Sequence, residues 1–157
     1  MHVADSCNHR VQIFSREGKF IRSFGRAGTG KGEMSYPYDV CVDDAGRQYV
    51  CEFGNSRIQV FDAKDQPLEI IGGSGAAPGQ FSNPWGVALD SDGNLYVADS
   101  QNHRVQKLVQ RKAPSTNIQH SVKLQAADSK QERKAAAVWC LDCGACLDVG
   151  CWMLDFP

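Results

Sequence analysis

Hydrophobic and polar positions alternate with a period of two along much of the first 112 residues. Within one stretch the strand-forming residues fall into four short runs, at 38–42, 48–52, 57–61 and 68–71. β-Branched and aromatic side chains dominate these runs, and Asp and Gly fill the gaps between them. No helical period is present before residue 112, so the pattern predicts an all-β domain of short antiparallel strands.

The pattern repeats every 47 residues, as the spacing of Arg10, Arg57 and Arg104 shows. Unlike residue types keep the same step: Gly25 and Gly72, Pro37 and Pro84, Asp43 and Asp90, Gly46 and Gly93. Four short antiparallel strands in a repeat of this length are typical of a β-propeller blade. With strands labelled a to d from the inside outward, the chain reads b-c-d, a-b-c-d, a-b-c. We therefore predict about two and a half four-stranded blades over residues 1–112.

One motif in each repeat carries a family resemblance. The copies are Asn8-His9-Arg10-Val11, Asn55-Ser56-Arg57-Ile58 and Asn102-His103-Arg104-Val105. Residues 1–112 resemble the NHL-repeat β-propellers of tripartite-motif NHL proteins and bacterial NHL proteins, and more distantly the propeller lyases. Such propellers usually close with six blades. The resemblance thus implies a partial NHL-type propeller that is a fragment of a longer protein.

An open propeller leaves apolar blade faces and strand edges uncovered. Two copies of this chain would meet as a-b-c against b-c-d, and this arrangement completes no four-stranded blade. We therefore expect no defined homo-oligomer.

Residues 113–157 differ in composition, and we predict a disordered linker and a Cys-rich tail outside the propeller. The tail contains four cysteines with C-x2-C-x2-C-x4-C spacing: Cys140, Cys143, Cys146 and Cys151. Thiolates so spaced are candidate ligands for Zn²⁺ or an iron–sulfur cluster. The last gap is one residue longer than in the ferredoxin-type run, and the alternative is a tail that binds no cofactor. We expect no cofactor in the propeller part.

The repeated motif is predicted to be structural, because a group that recurs once per blade serves the blade. Each Arg follows an acidic residue by five positions, in the pairs Asp5–Arg10, Glu52–Arg57 and Asp99–Arg104. Such a pair can span the turn between strands b and c, where the Asn satisfies local backbone groups. Cys41 and Cys51 align with Ala88 and Ala98, so small buried residues rather than a disulfide are expected there.

Function is better sought where the copies differ. Tyr38-Asp39 aligns with Trp85-Gly86, and Glu52-Phe53 aligns with Asp99-Ser100. The d–a and b–c loops of an up-and-down blade open on one face of the disc. We predict that this face gathers the candidate binding residues: Arg26, Lys31, Tyr36, Tyr38, Asp39, Glu52, Phe53, Asn55, Trp85, Asn102 and His103. The alternative is that Tyr38 and Trp85 only fill the space between blades.

Aromatic side chains interleaved with cations could stack bases and pair with phosphates, or could form a protein-binding surface. The 17 Lys and Arg residues against 18 Asp and Glu residues give no global basic field. We expect a non-catalytic scaffold that recruits protein or RNA, single-stranded or structured, through this face. The alternative is a fragment of a propeller lyase or hydrolase. No signal peptide or membrane-spanning segment is recognisable, so a cytoplasmic location without membrane partners is expected.

Overall fold

The structure, a computed structural model, describes residues 1–111 and 151–154 of the chain. The regular structure of this part consists of β-strands and two single 3-10 turns, Ser6–Asn8 and Ser100–Asn102. The strands are β1 (His2–Asp5), β2 (Arg10–Phe14), β3 (Phe20–Phe24), β4 (Pro37–Val42), β5 (Gln48–Glu52), β6 (Arg57–Phe61), β7 (Pro67–Ile71), β8 (Gly86–Leu89), β9 (Leu95–Asp99), β10 (Arg104–Arg111) and β11 (Cys151–Leu154).

The strands form three antiparallel sheets in chain order. Blade 1 contains β1-β2-β3, blade 2 contains β4-β5-β6-β7, and blade 3 contains β8-β9-β10-β11. Within each sheet short connections join neighbouring strands, except that β10 and β11 are separated by residues 112–150. The prediction of an all-β partial propeller is confirmed, and blade 1 has the predicted b, c and d strands.

Blade 3 differs from the expectation at its outer edge. The sequence predicts that this blade ends after strand c, with residues 113–157 outside the propeller. In the structure Cys151–Leu154 forms β11, which pairs antiparallel with β10 through Leu108, Val109, Gln110 and Arg111. The open edge of β10 presents unpaired backbone groups, and a strand from the tail satisfies them. The rest of residues 113–157 lies outside the described residues, so the proposed domain boundary remains a prediction.

The a–b hairpin turns follow the sequence pattern. Gly46 and Gly93 adopt φ of 80° and 84°, which is the left-handed region that glycine enters without steric cost. In the first turn the Asp43 carboxylate accepts the backbone N–H groups of Ala45 and Arg47 at 3.0 and 2.8 Å. The sequence Asp-x-x-Gly thus closes both turns, as predicted.

The core lies between the blades. At the joint of blades 1 and 2, Val11, Met34, Val50 and Phe61 form a buried cluster. At the joint of blades 2 and 3, the buried residue Phe81 takes the position that Met34 has one repeat earlier, at the joint of blades 1 and 2. Met34 and Phe81 both come from d–a loops, so each loop places a side chain between the two blades that it connects. The blades therefore hold one another together, and the loops are fixed by the same packing.

Candidate binding face

The repeated acidic residue is the centre of a polar network in each blade. In blade 2 the fully buried Glu52 accepts hydrogen bonds from the side chains of Asn55, Arg57 and Gln59. It also accepts the backbone N–H of Ser35, in the preceding d–a loop, at 3.2 Å. A buried carboxylate is tolerated only when its lone pairs are occupied in this way. The predicted ion pair is confirmed at 3.0 Å.

The Arg of this network also holds the d–a loop. Arg57 donates to the carbonyl oxygens of Thr29, Gly30 and Glu33 at 2.6, 2.9 and 3.0 Å. Gln59 donates to Glu33 O at 2.7 Å and accepts the N–H of Gly32 at 2.7 Å. The loop has no strand partners of its own, so these side chains satisfy its backbone groups.

Blade 3 repeats the arrangement almost atom for atom. Asp99 accepts hydrogen bonds from Asn102, Arg104 and Gln106, and from Ser82 N–H at 2.7 Å. Blade 1 has the equivalent side chains around Asp5, namely Asn8, Arg10 and Gln12, at 2.7–2.8 Å. The glutamines were not singled out in the sequence, although Gln12, Gln59 and Gln106 keep the 47-residue step.

The network lowers the pKa of its aspartates. Burial acts against ionisation of Asp99, but the hydrogen bonds from Ser82 N–H, Asn102, Arg104 and Gln106 outweigh it, so its pKa lies below the ordinary value. Hydrogen bonds from Arg10 and Asn8 lower the pKa of Asp5. Both carboxyl groups are therefore held in the charged form, as acceptors.

Hydrogen bonds join the b–c and d–a loops into one continuous surface, which we call the loop face. Asn55 donates to Gly28 O at 3.0 Å, and Asn102 donates to the equivalent Gly75 O at 2.9 Å. Between blades, Tyr36 N–H donates to Nδ1 of His9 at 3.1 Å, and Asn83 donates to Phe53 O at 3.0 Å. The loop face is consequently a built surface rather than a set of free loops.

Aromatic rings dominate the part of the loop face that is open to solvent. Tyr38 stacks on Phe53 with ring centroids 4.6 Å apart and planes inclined by 16°. Trp85 meets Tyr38 edge to face at 6.3 Å, and 62% of Trp85 is exposed. Tyr36 lies against His9 at 4.7 Å. A register shift between Pro37 and Asp39 leaves Tyr38 as a bulge in β4, and such bulges re-aim a side chain.

A shallow cleft of about 580 Å³ lies beside this aromatic group. Its lining combines three predicted binding residues, Phe53, Trp85 and His103, with Ser100 and Gln101, which were not among the predicted binding residues. In blade 3 the position equivalent to Phe53 is Ser100, and the smaller side chain leaves room beside Trp85. The comparison of the repeats had already marked position 100 as one where the copies differ.

The predicted cations lie in another place. Arg26 and Lys31 line a second cleft of about 350 Å³, together with Gly25, Gly32 and Pro67, which shares no residue with the first. Arg26 is ion-paired with Glu33 at 3.0 Å. The structure thus brings together Tyr38, Phe53, Trp85 and His103, but it does not bring the two cations into their cleft.

The remaining polar residues predicted for the face have structural contacts. Glu52, Asn55 and Asn102 belong to the carboxylate networks that hold the loops. Asp39 connects two blades, because its Oδ2 accepts the N–H of Val87 in β8 at 2.9 Å while Oδ1 accepts the N–H of Val40. The Cβ of a side chain at Gly86 would lie 3.5 Å from Asp39 Oδ2. Asp39 is therefore directly beside the backbone that carries Trp85.

The cysteines of the described part are free thiols: Cys7, Cys41 and Cys51. Burial, with the nearby charges of Asp39 and Asp43, raises the pKa of Cys41 to about 12, and burial also raises that of Cys51. Protonated thiols are poor nucleophiles. Cys51 is buried as expected, whereas Cys41 is only half-buried. Among residues 1–111, His, Cys, Asp and Glu form no cluster of three that could hold a metal.

Of the four cysteines proposed as metal ligands, Cys140, Cys143 and Cys146 lie outside the described residues. Cys151 begins β11, of which only the backbone is described. In the described part of the chain, no helix is long and apolar enough to cross a membrane.

Three sheets with a 47-residue period, one carboxylate–Arg network in each and d–a loops that are held by the following blade define the fold as a β-propeller. Comparison with known families indicates which kind of β-propeller this is. Residues 81–108 match the NHL repeat, and residues 1–72 match a family described as a 6-bladed β-propeller. The described blades therefore contain an NHL repeat within a β-propeller.

Two curated relatives are similar over single repeats. Protein brain tumor of Drosophila melanogaster is 48% identical over 40 residues, which cover 26% of this chain and 4% of that protein. RING finger protein nhl-1 of Caenorhabditis elegans is 50% identical over 32 residues, or 20% of this chain and 3% of that protein. The aligned part is thus a small share of either relative, and it shows the kind of repeat.

Proposed function

We propose that these blades form a non-catalytic binding scaffold, whose loop face recruits a protein or RNA partner. The observation that carries the proposal is the aromatic group beside the cleft, formed by the exposed Tyr38 and Trp85 with the half-buried Phe53. Large aromatic side chains usually bury their surface in the core, whereas exposed aromatic groups are enriched at interaction sites. The match to the NHL repeat supports the same interpretation, since repeat blades present variable loops on a rigid frame.

The order of the loops supports a role in recognition. The loops are fixed by the networks of Glu52 and Asp99, so the face is ordered before a partner arrives. Ordered surfaces lose less conformational entropy on binding. The free thiols Cys41 and Cys51 fit a reducing compartment, and the proposal therefore includes a cytoplasmic location.

The proposal can be tested without knowing the partner. The purified chain would be immobilised and exposed to cell extract, and retained proteins and RNAs would be identified by mass spectrometry and sequencing. We compare the wild type with the double variant Tyr38→Ala/Trp85→Ala. The matched control is Phe20→Ala, an aromatic side chain that is also exposed but lies on β3, away from the loop face.

We expect a set of molecules that the wild type and Phe20→Ala retain and the double variant loses. Identical retention by all three proteins would contradict the proposal. Circular dichroism spectra should be the same for the three proteins, so that a loss of binding is not a loss of fold.

A further inference from the structure

We infer that the cleft beside Trp85 recognises a cationic side chain, Arg or Lys, presented by a partner protein. This inference rests on the proposed function and names the partner's chemistry. It is carried by the exposed aromatic rings, by a cleft lining without Lys or Arg, and by the carboxylate of Asp39 on the neighbouring strand.

The rings offer the surface that a cation prefers. The face of an indole or phenol ring is negatively polarised, and a guanidinium or ammonium group within about 6 Å of its centroid is attracted to it. Trp85 is 62% exposed and Tyr38 is 43% exposed, so both rings are open to a ligand. The rings of Trp85 and Phe53 line the cleft itself, and Tyr38 stacks on Phe53 and meets Trp85 edge to face with centroids 6.3 Å apart.

Asp39 adds a negative charge on the strand next to β8, outside the residues that line the cleft. Its carboxylate is held against the β8 backbone by the hydrogen bond from Val87 N–H, one residue beyond Gly86 and two beyond Trp85. The equivalent position in blade 3 is Gly86, which has no carboxylate. A cation that binds the rings is thus attracted by their faces and, at longer range, by the charge of Asp39.

Two Arg residues of the loop face are engaged internally. Arg57 and Arg104 each pair with a carboxylate and with loop carbonyl oxygens. The five residues that line the cleft include neither Lys nor Arg. Binding of RNA needs cations that can neutralise phosphates. The cleft therefore favours a basic segment of a protein over a nucleic acid.

The first test compares two peptides that differ only in charge. One is an acetylated, amidated Gly-Ser-Arg-Gly-Ser, and the other carries citrulline, the neutral isostere of arginine, at its centre. Binding is followed by NMR at the indole N–H of Trp85, which Trp85→Phe assigns. We expect a saturable shift with the arginine peptide and roughly fivefold weaker binding of the citrulline peptide. Equal binding of the two peptides, or no binding of either, would overturn the inference.

The second test removes the carboxylate. Asp39→Asn keeps an oxygen that can accept the N–H of Val87, and the matched control is Asp92→Asn, on an exposed hairpin turn. We expect roughly fivefold weaker binding of the arginine peptide by Asp39→Asn and unchanged binding by Asp92→Asn. Equal affinities for the two variants would contradict the role of Asp39. The citrulline comparison needs no variant, so it decides the inference even if Asp39→Asn fails to fold.

An RNA probe distinguishes failure of the inference from failure of the proposed function. If oligouridylate shifts Trp85 at lower concentration than the arginine peptide, and Asp39→Asn strengthens that effect, the loop face binds RNA. In that outcome the scaffold proposal stands and the cationic ligand is rejected. If extract retention is the same for Tyr38→Ala/Trp85→Ala and the wild type, the proposed function itself fails.

Discussion

The joints between blades and the two open ends of the propeller contain the same residues in different surroundings. Val11, in blade 1, is completely buried, and its equivalent in blade 3, Val105, is 69% exposed. At the other end, Val3 is 37% exposed, whereas its equivalents Val50 and Val97 are buried. The strands have the same sequence pattern in every case, so a neighbouring blade, rather than the residue, decides the burial.

The polar network shows the same contrast. Arg57 reaches three carbonyl oxygens of the d–a loop that precedes its blade, and Arg104 reaches two. Within residues 1–111, Arg10 hydrogen-bonds only to Asp5. The ion pair between the carboxylate and the Arg forms in every blade. The hydrogen bonds from the Arg to carbonyl oxygens form only where a d–a loop precedes the blade. A single blade is thus an incomplete unit, and adjacent blades and loops complete it.

The largest expected effect compares the two Arg residues. In Arg57→Ala the completely buried Glu52 loses its ionic partner, and three loop carbonyl oxygens lose theirs. Breaking a buried pair typically costs about 3–5 kcal/mol. Arg10→Ala removes a pair whose Arg side chain is 40% exposed, and should cost about 1 kcal/mol or less.

Urea denaturation of the two variants, followed by circular dichroism, measures this difference. Arg57→Ala should unfold at much lower urea concentration, or should fail to fold, while Arg10→Ala stays close to the wild type. Similar losses for both variants would mean that the local pair, rather than the loop contact, carries the stability.

The next comparison uses one residue type at one repeat position. Val11→Ala leaves a cavity between blades 1 and 2 and should lower the free energy of unfolding by roughly 2 kcal/mol. Val105→Ala removes mostly solvent-exposed surface and should cost less than about 0.5 kcal/mol. The same denaturation experiment applies. A loss at Val105 as large as that at Val11 would show that another molecule covers the open face of blade 3 in solution.

The structural features that recur in each blade could be predicted from the sequence. The 47-residue step predicted the strands, the glycine turns and the pairs of Asp or Glu with Arg, because each depends on residues close in the chain. Gln59 and Gln106 keep the same 47-residue step. Each also donates a hydrogen bond to a loop carbonyl oxygen more than twenty residues away, and the sequence pattern does not show this contact.

Features that depend on the packing of one blade on another were not predictable from the pattern. β11 contains no landmark of the repeat, and it joins blade 3 by pairing with an open edge rather than by side-chain signature. The cleft exists because blade 3 has Ser100 at the position where blade 2 has Phe53, which leaves room beside Trp85. The hydrogen bond between Asp39 and Val87 forms only because β8 lies next to β4. The sequence indicated the variable positions, and only the joint of the blades showed which of them meet.

The smallest expected effect is a pH dependence that separates Asp99 from Asp5. Hydrogen bonds lower the folded-state pKa of both, so each contributes stability that is present above the unfolded-state pKa, about 4, and is lost as the pH falls through the folded-state pKa. Asp99 accepts the N–H of Ser82 in addition to three side chains, whereas Asp5 accepts side chains only. The acid-induced loss of stability should therefore be reduced more by Asp99→Asn than by Asp5→Asn. Urea midpoints measured between neutral pH and about pH 3 test this, and an equal reduction by both variants would show that the loop N–H adds nothing to the ionised carboxylate.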